Sequence, residues 1–314
     1  MKAIIFPGQG AQIVGMGKIL ASEQEVARNV FNQVDEALGY KLSQIIFEGP
    51  EELLGLTSNT QAALMAVSIA LVKTFEHISG KSINNFCNVL AGHSLGQYTA
   101  LCAASSIDVM QAAKMLKLRG DAMQSACEPS VGAMAACLGI NINELESIIE
   151  ECKNDGDCEI ANDNSLDQIV ISGISNAVDK IILELKSRGK KAIKLNVSAP
   201  FHSKLMKNAA NTMQDYLNNL DFEIENPSIP IIDNTTLAWL SSNENIKQLL
   251  VDQITGRVRW RQTMEMLDAK NFEQVIEFGP SPVLSKINQR SGYKFQPISL
   301  TSTKDIELYL EKNL

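Results

Sequence analysis

The chain has 314 residues, of which 45% are hydrophobic and 20% charged, and this ordinary globular composition excludes long disordered segments. Its formal net charge of -8 argues against a broad basic face for nucleic acid. No apolar run reaches the ~20 residues of a membrane span, and the opening MKAIIFPGQG is too soon interrupted for a signal peptide. We therefore expect a folded cytoplasmic protein with neither a membrane nor a nucleic-acid partner.

The cysteines are scattered along the chain. They are Cys87, Cys102, Cys127, Cys137, Cys152 and Cys158. No CxxC pair and no His-x-x-x-His pair accompanies them, so their spacing indicates neither a zinc site nor a disulfide framework. We expect reduced, mostly buried thiols and no bound metal.

Strand and helix patterns alternate at both ends of the chain. Short apolar runs predict buried strands, and apolar residues at helical spacing predict helices. In chain order these are the strand Lys2–Phe6, the helices Glu23–Leu38 and Gln61–Ile78, the strand Phe86–Ala91, the helices Gln97–Ala104, Val109–Ala126 and Ser203–Leu220, the strand Ile229–Ile232, the helices Asn245–Ile254 and Trp260–Ala269, and the strand Phe272–Glu277. We expect them to form a large α/β domain with a parallel sheet.

A different pattern separates these two ends. The predicted strands Gly132–Leu138, Gln168–Ile171 and Lys191–Val197 alternate with the predicted helices Ile142–Cys152 and Asn176–Ser187. A β-α-β-α-β order of roughly seventy residues suits a small sheet with helices on one side. The sequence therefore predicts that a large domain, residues 1–127 and 201–314, is interrupted by a small ferredoxin-like subdomain, residues 128–200.

The stretch LAGHSLGQY, residues 90–98, places Ser94 between Gly92 and Gly96, where a predicted strand meets a predicted helix. A nucleophilic serine projects from a sharp strand-to-helix turn, which crowds the residues two before and two after it, so glycine fits best at both. The helix N-terminus also stabilises negative charge on an attacked carbonyl oxygen. The pattern predicts a nucleophile elbow and an α/β-hydrolase-like large domain. The alternative is a loop serine or helix cap between two turning glycines.

Three histidines are available as a base for this serine: His77, His93 and His202. His93 is adjacent to Ser94, so the turn should point its ring elsewhere, and His77 lies near the end of an apolar helix. His202 follows a predicted strand at the start of a predicted helix, a position from which a side chain reaches into a cleft. His202 is therefore the candidate base, and no acidic partner for it stands out.

The glycine-rich opening FPGQGAQIVGMGK, residues 6–18, fits neither of two phosphate-binding motifs. A dinucleotide fingerprint beginning at Gly8 needs glycine where the chain has Ile13. A P-loop beginning at Gly10 needs lysine where the chain has Met16. The remaining interpretation is a turn after the first strand that offers N–H groups to an anion or oxyanion.

Five short motifs, in order along the chain, carry a family resemblance. They are FPGQGAQ (6–12), GHSLG (92–96), LRG (118–120), VSAPFHS (197–203) and EFGP (277–280). By these motifs the chain resembles the malonyl-CoA:acyl carrier protein transacylases, which load the extender unit in type II fatty acid synthesis. The resemblance runs through most of the chain. It implies malonyl-CoA as donor and an acyl carrier protein as partner, and we expect a monomer.

The resemblance implies a role for each matching residue. Ser94 receives the malonyl group as an ester, and His202 activates first this serine and later the incoming thiol. Backbone N–H groups of Gln9 and Leu95 form the oxyanion hole. Arg119 holds the free malonyl carboxylate in a bidentate, charge-assisted pair. Acetyl-CoA has no carboxylate, so it leaves the arginine unpaired.

Five further residues are implied with less support from the motifs. Gln253 falls where the family orients the histidine through an oxygen of a glutamine rather than through a carboxylate. Asn162 and Asn164 in the small subdomain are candidates to line the cleft. Lys190 and Lys191 lie where the family contacts phosphate groups of CoA.

Two positions bear on selectivity. The family usually has glutamate where this chain has Gln97. Gln97 keeps the shape and hydrogen bonding but lacks the charge, so we expect the chemistry to survive while activity or carrier choice differs. Phe201, beside the candidate base, should narrow the pocket and favour malonyl over methylmalonyl.

The predicted reaction is a ping-pong transfer through a malonyl-serine ester, with no metal or redox cofactor. Water must be kept out, or the enzyme becomes a hydrolase. A stand-alone acyltransferase of a polyketide assembly line has the same motifs. An editing acyl hydrolase shares Ser94 and His202 but has less reason to keep Arg119. A non-catalytic carrier-binding module predicts a broken nucleophile or base, and both are intact here.

Overall fold

The computed structural model describes residues 1–128, 130–197 and 199–313, so Ser198 of the VSAPFHS motif lies outside the described residues. Strands of the described residues form a six-stranded and a four-stranded sheet. In chain order they are β1 (Lys2–Phe6), β2 (Val89–Gly92), β3 (Gly132–Leu138), β4 (Cys158–Ser165), β5 (Gln168–Ile174), β6 (Lys191–Lys194), β7 (Ile231–Ile232), β8 (Trp239–Leu240), β9 (Gln274–Phe278) and β10 (Gln296–Leu300).

Helices connect most of these strands. The α-helices are α1 (Lys18–Glu23), α2 (Glu25–Leu38), α3 (Leu42–Glu48), α4 (Glu51–Gly55), α5 (Thr57–Ser79), α6 (Gly96–Ala103), α7 (Val109–Ser125), α8 (Ile142–Glu151), α9 (Ser175–Ser187), α10 (Lys207–Asn218), α11 (Ile246–Thr255), α12 (Trp260–Ala269), α13 (Val283–Arg290) and α14 (Thr303–Asn313). Short 3₁₀ helices cover Ile83–Asn85, Lys153–Asp155 and Lys204–Met206. The predicted helix Ser203–Leu220 is therefore split into a 3₁₀ turn and α10.

The larger sheet has the strand order β10-β9-β1-β2-β7-β8. All neighbouring pairs are parallel except β7 and β8, which are antiparallel. Because successive side chains of a strand point to opposite faces, Ile4 and Phe6 of β1 pack into one core, while Ala3 and Ile5 pack into a second core with Trp260. A mostly parallel sheet buried on both faces confirms the predicted α/β class.

Helix α5 runs through the main core. Among the described residues it alone is long and apolar enough to cross a membrane, so the expectation that no apolar run reaches this length is wrong here, and 72% of its most apolar stretch is buried inside the protein. A helix that is apolar on all sides is typical of the core of a large protein. Packing against α2 and α7 accounts for its composition.

The smaller sheet has the strand order β4-β5-β3-β6, with every neighbouring pair antiparallel. Its connectivity is β-α-β-β-α-β rather than the predicted β-α-β-α-β, because β4 is an additional strand. The second half of β4, ANDNS, is polar and yet buried, which removes the apolar alternation that signals a strand. Asp163 in this stretch forms an ion pair with Arg261 of α12 at 2.8 Å, and its side chain is 1% exposed.

Candidate active site

Ser94 lies in the tight turn between β2 and α6, with a left-handed φ of 54°. Its N–H donates to Asn234 Oδ1 at 2.7 Å. A Cβ on Gly92 would lie 1.9 Å from the carbonyl group of Gly96, and a Cβ on Gly96 would lie 2.5 Å from the oxygen of Phe6. The two glycines are thus required by close backbone packing on either side of a strained serine.

The buried His202 lies against this half-buried serine. Its Nε2 lies 2.8 Å from Ser94 Oγ, and its Nδ1 lies 2.8 Å from the backbone oxygen of Gln253 and 3.2 Å from that of Gly256. A carbonyl oxygen only accepts hydrogen bonds, so Nδ1 carries the ring proton and donates it. This tautomer leaves Nε2 free to accept the proton of the serine hydroxyl.

The electrostatics of the pocket keep His202 neutral. Burial first, and then the nearby charge of Arg119, lower the pKa of His202 from its usual 6.5 to about 3. The neutral imidazole can therefore act as a base near pH 7 without first losing a proton. A carboxylate paired with Arg119 offsets the second of these causes and raises the basicity of the ring.

Arg119, on α7, is only 1% exposed and points at the nucleophile. Its Nη2 donates to Ser94 Oγ at 3.1 Å and to Gln253 Oε1 at 3.0 Å, and its Nη1 donates to Gln61 Oε1 at 2.6 Å. Its Nε is buried without a partner, and no carboxylate of the described residues forms an ion pair with it. A buried cation is costly unless paired, so the site is built to receive an anion.

Two residues with free backbone N–H groups line the same cavity. Gln9 lies in the turn after β1 and Leu95 directly follows the serine, and both line the cavity that contains Ser94. In the described part of the chain, neither backbone N–H donates to another group. The first turn packs closely on the elbow, because a Cβ on Gly8 would lie 2.8 Å from the oxygen of His93.

The cavity has a volume of about 380 Å³ and contains most of the residues singled out from the sequence. Those that line it are Gln9, Ser94, Leu95, Arg119, Asn162, Asn164, Phe201 and His202. Gln253 lies behind the lining, where its backbone oxygen holds His202 and its side chain holds Arg119. Lys190 and Lys191 are not among the lining residues.

The small sheet contributes one wall of the cavity. Asn164 Oδ1 lies 2.9 Å from His93 Nε2, and Asn164 Nδ2 donates to Gln168 Oε1 at 3.2 Å. Asn162 forms an isolated parallel β-bridge with Val258, which lies between α11 and α12. These contacts hold the edge of the small sheet against the elbow.

The two lysines lie outside this wall. Lys190 Nζ donates to the oxygen of Gly139 at 2.9 Å and lies 3.6 Å from a carboxylate oxygen of Glu144. Lys191 begins β6 and is exposed.

Three polar residues of the site were not predicted from the sequence. Gln61 holds Arg119 from α5, while Asp233 and Asn234 follow β7 behind the elbow. The position of the last two carries a usable signal, since ligands and functional side chains gather at the carboxyl ends of parallel strands. Gln61 carried no such signal, because it lies inside a long apolar helix.

A nucleophile elbow, a hydrogen-bonded serine-histidine pair and free backbone donors define a serine enzyme that works through an acyl-serine ester. The acyl transferase domain family matches residues 3–303. The chain therefore belongs to the acyl transferase domain family.

Individual relatives agree over nearly the whole chain. The malonyl CoA-acyl carrier protein transacylase of Bacillus subtilis (strain 168) is 37% identical over 311 residues, covering 98% of this chain and 96% of the relative. The structure of acyl-carrier-protein-S-malonyltransferase from Bartonella henselae is 42% identical, with a TM-score of 0.95 and coverage of 99% and 98%. A type II PKS acyl-carrier protein in complex with its malonyl-transacylase gives 34% identity, a TM-score of 0.94 and coverage of 99% of both chains.

Proposed function

We propose that this protein moves a malonyl group from malonyl-CoA to the phosphopantetheine thiol of an acyl carrier protein, supplying fatty acid synthesis. The names of its relatives support this activity. The observation that carries the proposal is Arg119, a buried cation without a carboxylate partner in the described residues, placed 3.1 Å from the nucleophile Ser94.

In the first half-reaction, Ser94 Oγ attacks the thioester carbonyl carbon of malonyl-CoA while His202 Nε2 takes the hydroxyl proton. The N–H groups of Gln9 and Leu95 stabilise the oxyanion. The carbon-sulfur bond then breaks, and the CoA thiolate leaves with the proton held by His202. The product is a malonyl-serine ester.

The second half-reaction reverses these steps with a different thiol. His202 takes the proton of the phosphopantetheine thiol, and the thiolate attacks the ester carbonyl. The carbon-oxygen bond breaks, and Ser94 recovers its proton from the imidazole. A thiol is more acidic than a serine hydroxyl, so a weakly basic His202 suits this step.

Arg119 selects the acyl group by charge and by distance. In the ester, one methylene separates the malonyl carboxylate from the carbonyl carbon, so a guanidinium in contact with Ser94 Oγ reaches this carboxylate. An acetyl group leaves the cation buried and unpaired, which penalises its transfer. Phe201 lines the same cavity and narrows it against a branched acyl group.

We propose an α/β-hydrolase-like domain of residues 1–127 and 201–314 and a ferredoxin-like subdomain of residues 128–200, supported by the elbow and by the β-α-β-β-α-β connectivity. We also propose that the protein is a cytoplasmic monomer. It needs no cofactor, since its own side chains supply the nucleophile, the base and the positive charge. Asn162 and Asn164 line the cleft, and Lys190 and Lys191 meet CoA phosphates at its outside.

A polyketide acyl carrier protein is a second candidate acceptor. The observation that favours it is the similarity to the malonyl-transacylase in complex with a type II PKS acyl-carrier protein. Discharge of the malonyl enzyme by fatty acid and by polyketide carrier proteins, compared at equal concentration, separates the two acceptors.

Intact-protein mass spectrometry tests the activity. Wild type is mixed with malonyl-CoA or acetyl-CoA, with Ser94→Ala as the matched control. We expect a malonyl adduct that needs Ser94, forms much more slowly with acetyl-CoA, and is discharged by the thiol of a carrier protein. An adduct that decays in water without a thiol indicates a hydrolase, and no adduct indicates a non-catalytic protein.

A further inference from the structure

A row of buried polar side chains lies directly behind the serine-histidine pair. Gln97, Asp233, Asn234 and Gln253 are each at most 1% exposed, and none of them lines the substrate cavity. Asp233 is the one acidic residue in this row. Buried polar groups of this kind are stable only when every donor meets an acceptor, so the direction of each hydrogen bond in the row is constrained.

The carboxylate of Asp233 is one of the groups that fix that direction. Its Oδ1 accepts hydrogen bonds from the backbone N–H and hydroxyl groups of Thr235 and Thr236, at 2.7 to 3.0 Å. Its Oδ2 accepts from Gln97 Nε2 at 3.0 Å. All these neighbours donate, and an ionised carboxylate only accepts. The amide of Gln97 therefore turns its nitrogen toward Asp233 and its oxygen away.

Gln97 in turn constrains the side-chain amide of Gln253. Gln97 Oε1 accepts from Gln253 Nε2 at 2.8 Å, so Gln253 in turn presents its oxygen at the far end. That oxygen accepts from Arg119 Nη2 at 3.0 Å, while Gln253 Nε2 also donates to the backbone oxygen of Ser94 at 3.1 Å. The backbone N–H of Asn234 also donates to Gln97 Oε1 at 3.3 Å, and Gln253 Nε2 also donates to Asn234 Oδ1 at 3.3 Å. The carboxylate of Asp233 thus acts together with backbone groups to orient two amides, and the second amide holds both the guanidinium and the nucleophile.

We propose that Asp233 is a positioning residue that acts through Gln97 and Gln253 to hold Arg119 for the acyl carboxylate. The proposal rests on the proposed function. It also accounts for the glutamine at position 97, because a glutamate there would face Asp233 with a second carboxylate about 3 Å away. Gln97 and Asp233 therefore form one unit, in which the charge lies at 233 and the amide at 97.

Exchanging the two groups tests this unit. Gln97→Glu places two carboxylates together, and Asp233→Asn faces the row with a second amide that can reverse it. In the double variant, the new carboxylate at position 97 accepts from the new amide at position 233 and from Gln253, so the oxygen of Gln253 still faces Arg119. Gln248→Glu is the matched control, because Gln248 also donates to an aspartate oxygen on α11, Asp252 at 2.8 Å, but at an exposed position.

The measurements are kcat/KM for malonyl-CoA and for acetyl-CoA, KM and kcat separately, and the melting temperature. We expect each single variant to lose about tenfold or more in kcat/KM for malonyl-CoA, mainly through KM, and to discriminate less against acetyl-CoA. The double variant should return to within about threefold of wild type, and the control should match wild type. A purely structural role lowers the melting temperature without changing the malonyl-to-acetyl ratio.

The outcomes separate this inference from the proposed function. Wild type that forms no malonyl adduct refutes the function, whatever the variants do. Wild type that loads malonyl, with singles equal to it or a double no better than the singles, overturns the role of Asp233. Should a single variant fail to fold, the double variant decides, because the inference requires it to fold and to select malonyl.

Discussion

Removal of the Arg119 side chain should abolish the preference for a malonyl group. Arg119→Ala deletes the one cation that contacts Ser94 Oγ in the described residues, together with three hydrogen bonds of 2.6, 3.0 and 3.1 Å. Truncating one partner of a buried, hydrogen-bonded charge pair costs about 2 to 5 kcal/mol. We therefore expect kcat/KM for malonyl-CoA to fall by about 30-fold to 5,000-fold.

For acetyl-CoA, Arg119→Ala should not lower kcat/KM. An acetyl group does not pair with the guanidinium, so its loss removes a penalty instead of a contact. Loss of the charge also removes one of the causes that lower the pKa of His202, which strengthens the base. The kcat/KM for acetyl-CoA should stay level or rise, and Arg119→Lys, which keeps the charge but not the bidentate geometry, should fall between wild type and alanine.

The assay is the rate of adduct formation with each acyl-CoA, followed by intact-protein mass spectrometry. Lys117→Ala is the control on the same helix, because Lys117 pairs with Asp121 at the surface of α7. A malonyl-to-acetyl ratio that stays within about threefold of wild type in Arg119→Ala would refute the reasoning. Equal loss for both substrates would assign the arginine to the stability of the elbow instead of to carboxylate recognition.

Three other predictions address stability. Gly92→Ala should lower the free energy of unfolding by at least about 4 kcal/mol in urea titration, since its Cβ meets backbone at 1.9 Å, whereas Gly55→Ala, with open space around it, should not. The His202 pKa of about 3 lies below its unfolded value of 6.5, so the unfolded state binds more protons between these values. Wild type should thus lose about 2 kcal/mol relative to His202→Gln between pH 7 and pH 5, and parallel stability curves would contradict this. Asp163→Ala removes the buried carboxylate that pairs with Arg261 and leaves this arginine its ion pair with Glu265, so it should cost about 1.5 to 3 kcal/mol by thermal denaturation, an expectation that an unchanged melting temperature rules out.

The spacing of apolar residues along the chain was sufficient to predict the strands and helices whose apolar side chains recur regularly. The strand Lys2–Phe6 and the helix Trp260–Ala269 have the predicted bounds, because their apolar spacing matches the period of the structure they form. The strand Cys158–Ser165 was missed because most of its buried residues are polar, and Asp163 among them is paired with the distant Arg261. Periodicity records only which side chains are apolar, so it cannot reveal a buried polar strand.

The sequence by itself determined the nucleophile, because Gly-x-Ser-x-Gly between a strand and a helix constrains neighbouring residues through the backbone. It also limited the base to a choice among three histidines. Only the tertiary structure decided which groups complete the site. Gln253 uses its backbone oxygen for His202 and its side chain for Arg119, and Asp233 orients that side chain from behind the elbow. These contacts join residues far apart in the chain, and no local spacing encodes them, since they arise only when buried donors and acceptors must all be paired.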